Sequence, residues 1–118
     1  MNDSGRQSPL KPMAFRVLLL LGDGERHGWS IVKELQAQAG DGVRILPGSL
    51  YRTLNDMVEQ GLIEEAPSPP VEDEDNRRRY LRVTEVGIQR ARAEAERLED
   101  LVRTARSKSV FFPSGAKA

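Results

Sequence analysis

The hydrophobic pattern along the chain predicts four helices. Apolar residues recur at helical spacing over residues 12–21, 26–39 and 47–60, and again in a longer stretch, 85–106. The first stretch is apolar on most of its surface, which indicates a helix at the centre of the core. Glycine-rich turns follow each of the first two stretches and end those helices.

Three strand-like segments lie between the helices. Residues 43–46 lead directly into the third helix, where Pro47 suits a first helical turn and Gly61 suits a left-handed cap at the other end. Two further strands are predicted over residues 62–66 and 79–83, the second from its alternation of apolar and polar side chains. The long polar loop between these two strands is typical of a β wing.

The order of these elements is that of a winged helix-turn-helix domain. We therefore predict a mainly α fold with a small β wing, with the winged helix-turn-helix domain at residues 10–83. A C-terminal dimerisation helix is predicted over residues 84–106. The polar ends, residues 1–9 and 107–118, are predicted to be a disordered arm and a flexible tail. A length of 118 residues suits one domain with an appended helix.

The third helix has an apolar face and a polar face. At about 100° per residue, Arg52 is near the centre of the polar face. The residues of this face, opposite the apolar stripe, are Gly48, Ser49, Arg52, Asn55, Asp56 and Glu59. Such a helix suits the major groove of DNA, where arginine contacts guanine and asparagine contacts adenine. The alternative is an ordinary amphipathic surface helix.

The last helix carries an apolar stripe whose spacing alternates between three and four residues, as in a coiled-coil seam. This seam would join two copies of the chain, and the alternative is that it packs back on the winged-helix body. Alanine at three seam positions would let two helices approach closely. The predicted dimerisation residues are Ile88, Ala91, Ala95, Leu98, Val102 and Ala105.

Composition excludes several classes of function. The chain has no cysteine, which rules out a disulfide framework, a thiolate zinc site and a cysteine nucleophile. Its one histidine, His27, has no histidine or cysteine partner, so we predict a structural role for it, and no enzyme activity, metal or cofactor. Trp29 is predicted to pack at the entrance of the second helix. No apolar run approaches the ~20 residues of a membrane span and no secretory signal pattern is present, which favours the cytoplasm.

Charge gives two opposing signals. The chain has 18 basic and 18 acidic residues, so DNA binding would depend on where the charges lie. Arg77, Arg78 and Arg79 would contact the DNA backbone or the minor groove from the wing. Four acids at residues 72–75 precede them, and acids near phosphates oppose binding. The alternative is that the three arginines neutralise these acids within the wing loop.

Several motifs, in order and at matching spacing, resemble those of the PadR family of bacterial transcriptional regulators. The resemblance covers about residues 13–87 and implies a winged helix-turn-helix with a C-terminal dimerisation helix. Trp29 and Ser49 stand where the family has tyrosine and threonine, and Arg52 stands where proline is frequent. The motifs are Leu18-Leu19-Leu20-Leu21, Arg26-His27-Gly28-Trp29, Pro47-Gly48-Ser49-Leu50-Tyr51, Gly61-Leu62-Ile63 and the stretch from Arg77 to Gly87.

The resemblance implies a sequence-specific regulator that binds double-stranded DNA as a homodimer, and we expect a repressor acting at a palindromic operator. Ser49, Tyr51 and the Gly48 amide would contact phosphates. Tyr51 also lies at the border of the apolar face, where it could belong to the core instead. Some members of the family respond to phenolic acids or drugs, so a small-molecule effector of unknown identity is a further expected partner.

A function of another class is also compatible with the sequence. A winged helix can serve as a protein–protein interaction module that binds no DNA, with the acidic wing and Phe111-Phe112 contacting a partner. The zero net charge favours this alternative. The polar face of the third helix and the three arginines favour DNA.

Overall fold

In the described part of the chain, four helices and a small antiparallel sheet make up the fold, as the sequence predicts. The computed structural model describes residues 9–40, 42, 44–67 and 80–113. The strands lie in the order β1-β3-β2, and both neighbouring pairs are antiparallel. In chain order the elements are α1 (Pro12–Leu21), β1 (Arg26–His27), α2 (Gly28–Ala39), α3 (Pro47–Glu59), β2 (Ile63–Glu65), β3 (Tyr80–Val83) and α4 (Glu85–Arg106).

Helix α1 lies at the centre of the core, because it contacts each of the other three helices and also β3. Its Val17 and Leu18 are almost completely buried. Burying an aliphatic side chain of this size contributes about 1.5–3 kcal/mol. The other elements add the remaining large buried side chains, which include Ile31, Leu35, Leu50, Leu54, Met57, Leu62, Ile63 and Leu81.

The prediction of a strand over residues 43–46 is wrong, since residues 44–46 form no strand in the structure. The Ile45 amide donates instead to the Gln36 side-chain carbonyl on α2, at 2.7 Å. The free edge of β3 is occupied by Arg26 and His27, which pair with Leu81 and Tyr80. The second helix accordingly begins at Gly28, two residues later than predicted.

The turn between α3 and β2 also holds the start of α4. Gly61 has a φ of 79°, as the predicted left-handed cap requires. The Thr84 hydroxyl lies 2.6 Å from the Gly61 carbonyl oxygen and accepts a hydrogen bond from the Gly87 amide at 3.0 Å. A Cβ on Gly87 would lie only 2.1 Å from the Leu62 carbonyl oxygen, so this position has no room for a side chain. The first turn of α4 is therefore fixed against the winged-helix body.

Candidate nucleic-acid interface

The outward face of α3 is polar and accessible. Leu50, Leu54 and Met57 point into the core, whereas Arg52 and Asn55 are exposed. Within the described part of the chain, neither exposed side chain has a hydrogen-bond or ion-pair partner. The structure thus leaves a cation and an amide free on one helix face, as binding to another molecule would need.

The first turn of α3 is open to an approaching ligand. Gly48 and Ser49 are exposed, and a Cβ built on Gly48 would meet nothing within 4 Å. Amide groups in a first helical turn have no partner inside the helix, and the helix dipole places partial positive charge there. The acids of the outward face, Asp56 and Glu59, lie toward the other end of the helix. The N-terminal half of α3 is consequently the half suited to an anion.

Tyr51 has both an exposed side and a packed side. Its side chain is 41% exposed. A Cβ on Gly28 would come within 3.1 Å of the Tyr51 Cε1 atom, so the ring rests against the first turn of α2. Gly28 thereby allows α2 and α3 to approach closely. Tyr51 lies at the border of the apolar face, as the helical spacing predicts.

An aromatic cluster next to this contact was missed by the sequence interpretation. The His27 ring lies 5.0 Å from the Tyr80 ring, edge to face, and 5.6 Å from the Trp29 ring. Trp29 is 52% exposed, and the Lys33 ammonium group lies 4.5 Å from its ring centroid. The prediction of Trp29 as a packing residue is therefore only partly right. The cluster forms because β1 pairs with β3, which brings His27 beside Tyr80. The sequence interpretation assigned residues 26–27 to a helix and therefore did not predict this pairing.

The described part of the wing carries one cross-strand ion pair. Glu64 on β2 lies opposite Arg82 on β3, and the Arg82 Nε atom donates to the Glu64 carboxylate at 2.8 Å. Both side chains are more than 40% exposed, so this pair adds little stability. The predicted contact residues Arg77, Arg78 and Arg79, and the acids at 72–75, lie outside the described residues.

The predicted dimerisation residues divide between two environments. Ala91 packs against the core of its own chain, whereas Ile88, Ala95 and Val102 are exposed. Leu98 and Ala105 are half-buried. Packing on the body of the same chain is therefore shown for Ala91, and the role of the exposed positions in a dimer stays a prediction.

Leu101 belongs to this second half and was missed by the sequence interpretation. Its side chain is 53% exposed, next to Val102 at 50%. Leu101 follows Leu98 by three residues, which is also helical spacing, so the pattern contained the signal. Together with Leu98, these residues form an apolar patch on the distal half of α4.

Glu94 interrupts the apolar face of α4 with a buried charge. Its side chain is 6% exposed and accepts a hydrogen bond from the Leu10 amide at 3.2 Å. Arg97, one turn along, donates to the same carboxylate and forms an ion pair with it. The hydrogen bond from Arg97 lowers the pKa of Glu94, with smaller contributions from the Leu10 amide and Arg90, while burial acts in the opposite direction. Glu94 is therefore ionised at neutral pH.

The described residues contain no helix long and apolar enough to cross a membrane. Among the same residues, no group of three or more potential metal-ligating side chains comes together.

Three core helices, a three-stranded sheet and an exposed polar third helix define a winged helix-turn-helix protein. Residues 17–93 match the model of the transcriptional regulator PadR-like family, which is more than half of the chain. The chain therefore belongs to the PadR-like family of transcriptional regulators. Regulators of this kind are generally non-enzymatic.

Three solved structures share this fold, and two of them are named as transcriptional regulators. RosR of H. salinarum is 27% identical with a TM-score of 0.59, and the match covers 84% of this chain and 80% of that one. A regulator from Clostridium thermocellum is 22% identical with a TM-score of 0.64, covering 78% and 84%. A PadR-like regulator from Bacillus cereus is 18% identical with a TM-score of 0.65, covering 78% and 85%. No curated protein sequence matches the chain.

Proposed function

We propose that this regulator is a homodimeric repressor that binds a palindromic operator in double-stranded DNA. The observation that carries the proposal is the exposed Arg52 on the polar face of α3, which has no partner within the described part of the chain. An unpaired guanidinium on the third helix of a winged helix-turn-helix protein can form the bidentate contact that distinguishes guanine in the major groove.

The N-terminal half of α3 is the half proposed to enter the groove. In helix-turn-helix proteins the N-terminal residues of this helix contact base edges. Here that half carries Gly48, Ser49 and Arg52, while Asp56 and Glu59 lie further along. A reversed approach would bring two carboxylates toward phosphates and be opposed by their repulsion.

Individual roles follow from the chemistry of each group. Arg52 and Asn55 are proposed to contact base edges, guanine and adenine respectively. The Gly48 amide, Ser49 and Tyr51 are proposed to contact phosphates and so fix the position of α3 along the DNA. The wing arginines, Arg77, Arg78 and Arg79, are proposed to contact the DNA backbone or minor groove.

The distal half of α4 is proposed to join the two protomers. Leu98, Leu101 and Val102 present apolar surface where α4 extends beyond its own body. Contiguous exposed apolar surface of this kind is typical of a protein–protein contact. Two-fold symmetry in the protein would be matched by two symmetric half-sites, and a dimer on such a site would repress by excluding the transcription machinery.

Selection of bound fragments from genomic DNA tests this proposal. The wild-type protein is expected to enrich a small set of fragments that share a palindrome. Arg52→Glu should lose this enrichment, whereas Arg92→Glu, a matched charge reversal at an exposed position on α4, should retain it. Absence of enrichment by the wild-type protein would contradict the proposal and favour the protein-interaction module.

A further inference from the structure

Glu94 is the buried charged side chain of the described part of the chain. It accepts a hydrogen bond from the Leu10 amide, 84 residues away, directly before α1 begins. Its other interaction is with Arg97, whose side chain is 41% exposed and therefore partly hydrated. The carboxylate thus joins the second turn of α4 beyond Gly87 to the entrance of the central core helix.

Stability alone does not account for a carboxylate at this position. Taking a charge out of water carries a desolvation penalty, and apolar residues of similar volume often replace a buried ion pair without loss of stability. Ala91 and Leu98, the neighbours of Glu94 on the same face, are apolar. The carboxylate instead constrains the orientation of α4, because the hydrogen bond that it accepts from the Leu10 amide has a defined geometry that apolar packing lacks.

Two contacts hold α4 on the body at either side of the packed Ala91. Gly87 fixes the first turn against the Leu62 carbonyl oxygen, and Glu94 fixes the helix two turns later against Leu10. Beyond Glu94 the helix continues for a further 12 residues, to Arg106, or about 18 Å at 1.5 Å per residue. A small change at Glu94 in the angle between the α4 axis and the winged-helix body therefore gives a larger displacement at Leu101 and Val102.

The amplified displacement is comparable with the spacing of base pairs. A tilt of about 10° at Glu94 moves the helix axis by roughly 2 Å at Val102, which lies about 12 Å further along. When both protomers tilt, the bodies move by up to about 4 Å relative to each other, against the ~3.4 Å between neighbouring bases of one strand. Loss of the Leu10 contact would therefore change the spacing of half-sites that the dimer fits.

We propose that Glu94 is a positioning residue that sets the distance between the two α3 helices of the dimer, and through it the half-site spacing of the operator. This inference rests on the proposed function, because it requires a dimer that is joined through the distal half of α4. It adds a residue that touches neither DNA nor the partner.

An inter-protomer distance tests the proposal without DNA. The chain has no cysteine, so Glu59→Cys, at an exposed position on α3, introduces a single site for a spin label. Pulsed electron paramagnetic resonance is expected to give one narrow distance for the otherwise wild-type dimer. Glu94→Leu and Glu94→Ala should broaden this distance or shift it by on the order of 4 Å, the displacement expected when α4 tilts by about 10° in both protomers. Glu94→Gln keeps an acceptor for the Leu10 amide and should preserve the distance.

The controls separate positioning from other effects. Glu96→Leu makes the same chemical change at an exposed position on α4 and should leave the distance unchanged. An unchanged narrow distance in both Glu94→Leu and Glu94→Ala would overturn the proposal. Unfolding of both, seen by circular dichroism, would assign the contact to stability and also overturn it. Absence of any inter-label distance in the wild-type background would instead refute the dimer of the proposed function.

A DNA measurement then tests the consequence for specificity. Duplexes carrying two selected half-sites at spacings that differ by one base pair are titrated with wild-type protein and Glu94→Leu. The wild-type protein should prefer one spacing, and the variant should lose that preference while retaining its affinity for a single half-site. A uniform loss of affinity at every spacing would contradict a positioning role. Absence of binding by the wild-type protein would refute the proposed function itself.

Discussion

Helices α3 and α4 each pack part of their surface on the core, but the parts that they expose differ in chemistry. The outward face of α3 carries Ser49, Arg52 and Asn55, whereas the distal half of α4 exposes Leu101 and Val102. Exposed polar groups exchange hydration for contacts with phosphates and base edges, while exposed apolar groups gain free energy only when water is removed from them. This difference supports the proposal that α3 contacts DNA and that α4 contacts a second copy of the chain.

The same contrast recurs within α4 itself. Gly87, Ala91 and Glu94 on its first half face the winged-helix body, and the continuation of that face holds Leu98 and Leu101. One stripe is therefore packed in its first half and exposes Leu101 and Val102 further along. The sequence pattern alone could not divide the stripe, since helical spacing carries no information about where a neighbouring surface ends.

The largest effect is expected from charges in the distal apolar patch. Leu98→Glu with Val102→Glu would bury carboxylates between the protomers, and a single uncompensated buried charge costs about 3–5 kcal/mol. Sedimentation should then show monomers. Gln89→Glu with Thr104→Glu adds the same charge at exposed positions away from the stripe and should leave the dimer intact. A folded double mutant that remains dimeric would show that the protomers meet elsewhere.

A large effect on folding is expected where α4 begins. Gly87→Ala would place a Cβ 2.1 Å from the Leu62 carbonyl oxygen, so α4 or β2 must move. We expect the free energy of unfolding to fall by about 3 kcal/mol, the upper part of the range for overpacking. Urea denaturation measures this. Gly48→Ala, on the open first turn of α3, is the control and should show no loss; equal losses at both glycines would contradict the close contact.

A moderate effect is expected on the polar face of α3. Arg52→Ala should lower the affinity for the selected operator by about 1–3 kcal/mol and relax the preference at one base pair, as the loss of a bidentate base contact predicts. Equilibrium binding to the operator and to each single-base variant measures both quantities. An equal loss of affinity for all sequences would make Arg52 a phosphate contact instead.

The smallest effect is expected from the charge of Glu94. Because the pKa of Glu94 is lowered in the folded state, its stabilisation is complete above the unfolded value of about 4.3 and disappears as the pH falls through the folded value. Wild-type protein should exceed Glu94→Gln in stability by about 0.2–1 kcal/mol at pH 7, since the partner Arg97 is partly exposed. The difference in the free energy of unfolding between the two proteins should decrease when denaturation is repeated from pH 5 toward pH 3. A difference that increases in acid would show that the pKa of Glu94 is raised in the folded state rather than lowered.

The sequence predicted the helices well because their ends carry local signals. Pro12, Pro47 and Thr84 mark helix starts in the structure, as their backbone and capping chemistry requires. The error at residues 43–46 arose because an extended apolar run looks like a strand whether or not a strand edge is available to it. The pairing of β1 with β3 depends on a tertiary contact, so no local pattern revealed it.

The candidate site was predictable in part for the same reason. Helical spacing placed Arg52 and Asn55 outward, and both are exposed. Helical spacing could not show that Glu94 is buried, because this depends on a tertiary contact with Leu10, 84 residues away in the chain. Helical spacing also could not show that Trp29 is 52% exposed beside the His27 ring, because that arrangement involves the pairing of β1 with β3.

Salt dependence of binding to a selected operator is the most direct test of the proposal that the polar face of α3 binds DNA. Binding that displaces counterions gives a logarithm of the association constant that falls linearly with the logarithm of salt concentration, with a slope of about −0.9 per phosphate contact. We predict a slope corresponding to several contacts for the wild-type dimer. An association constant for the operator that does not change with salt concentration would contradict the proposal.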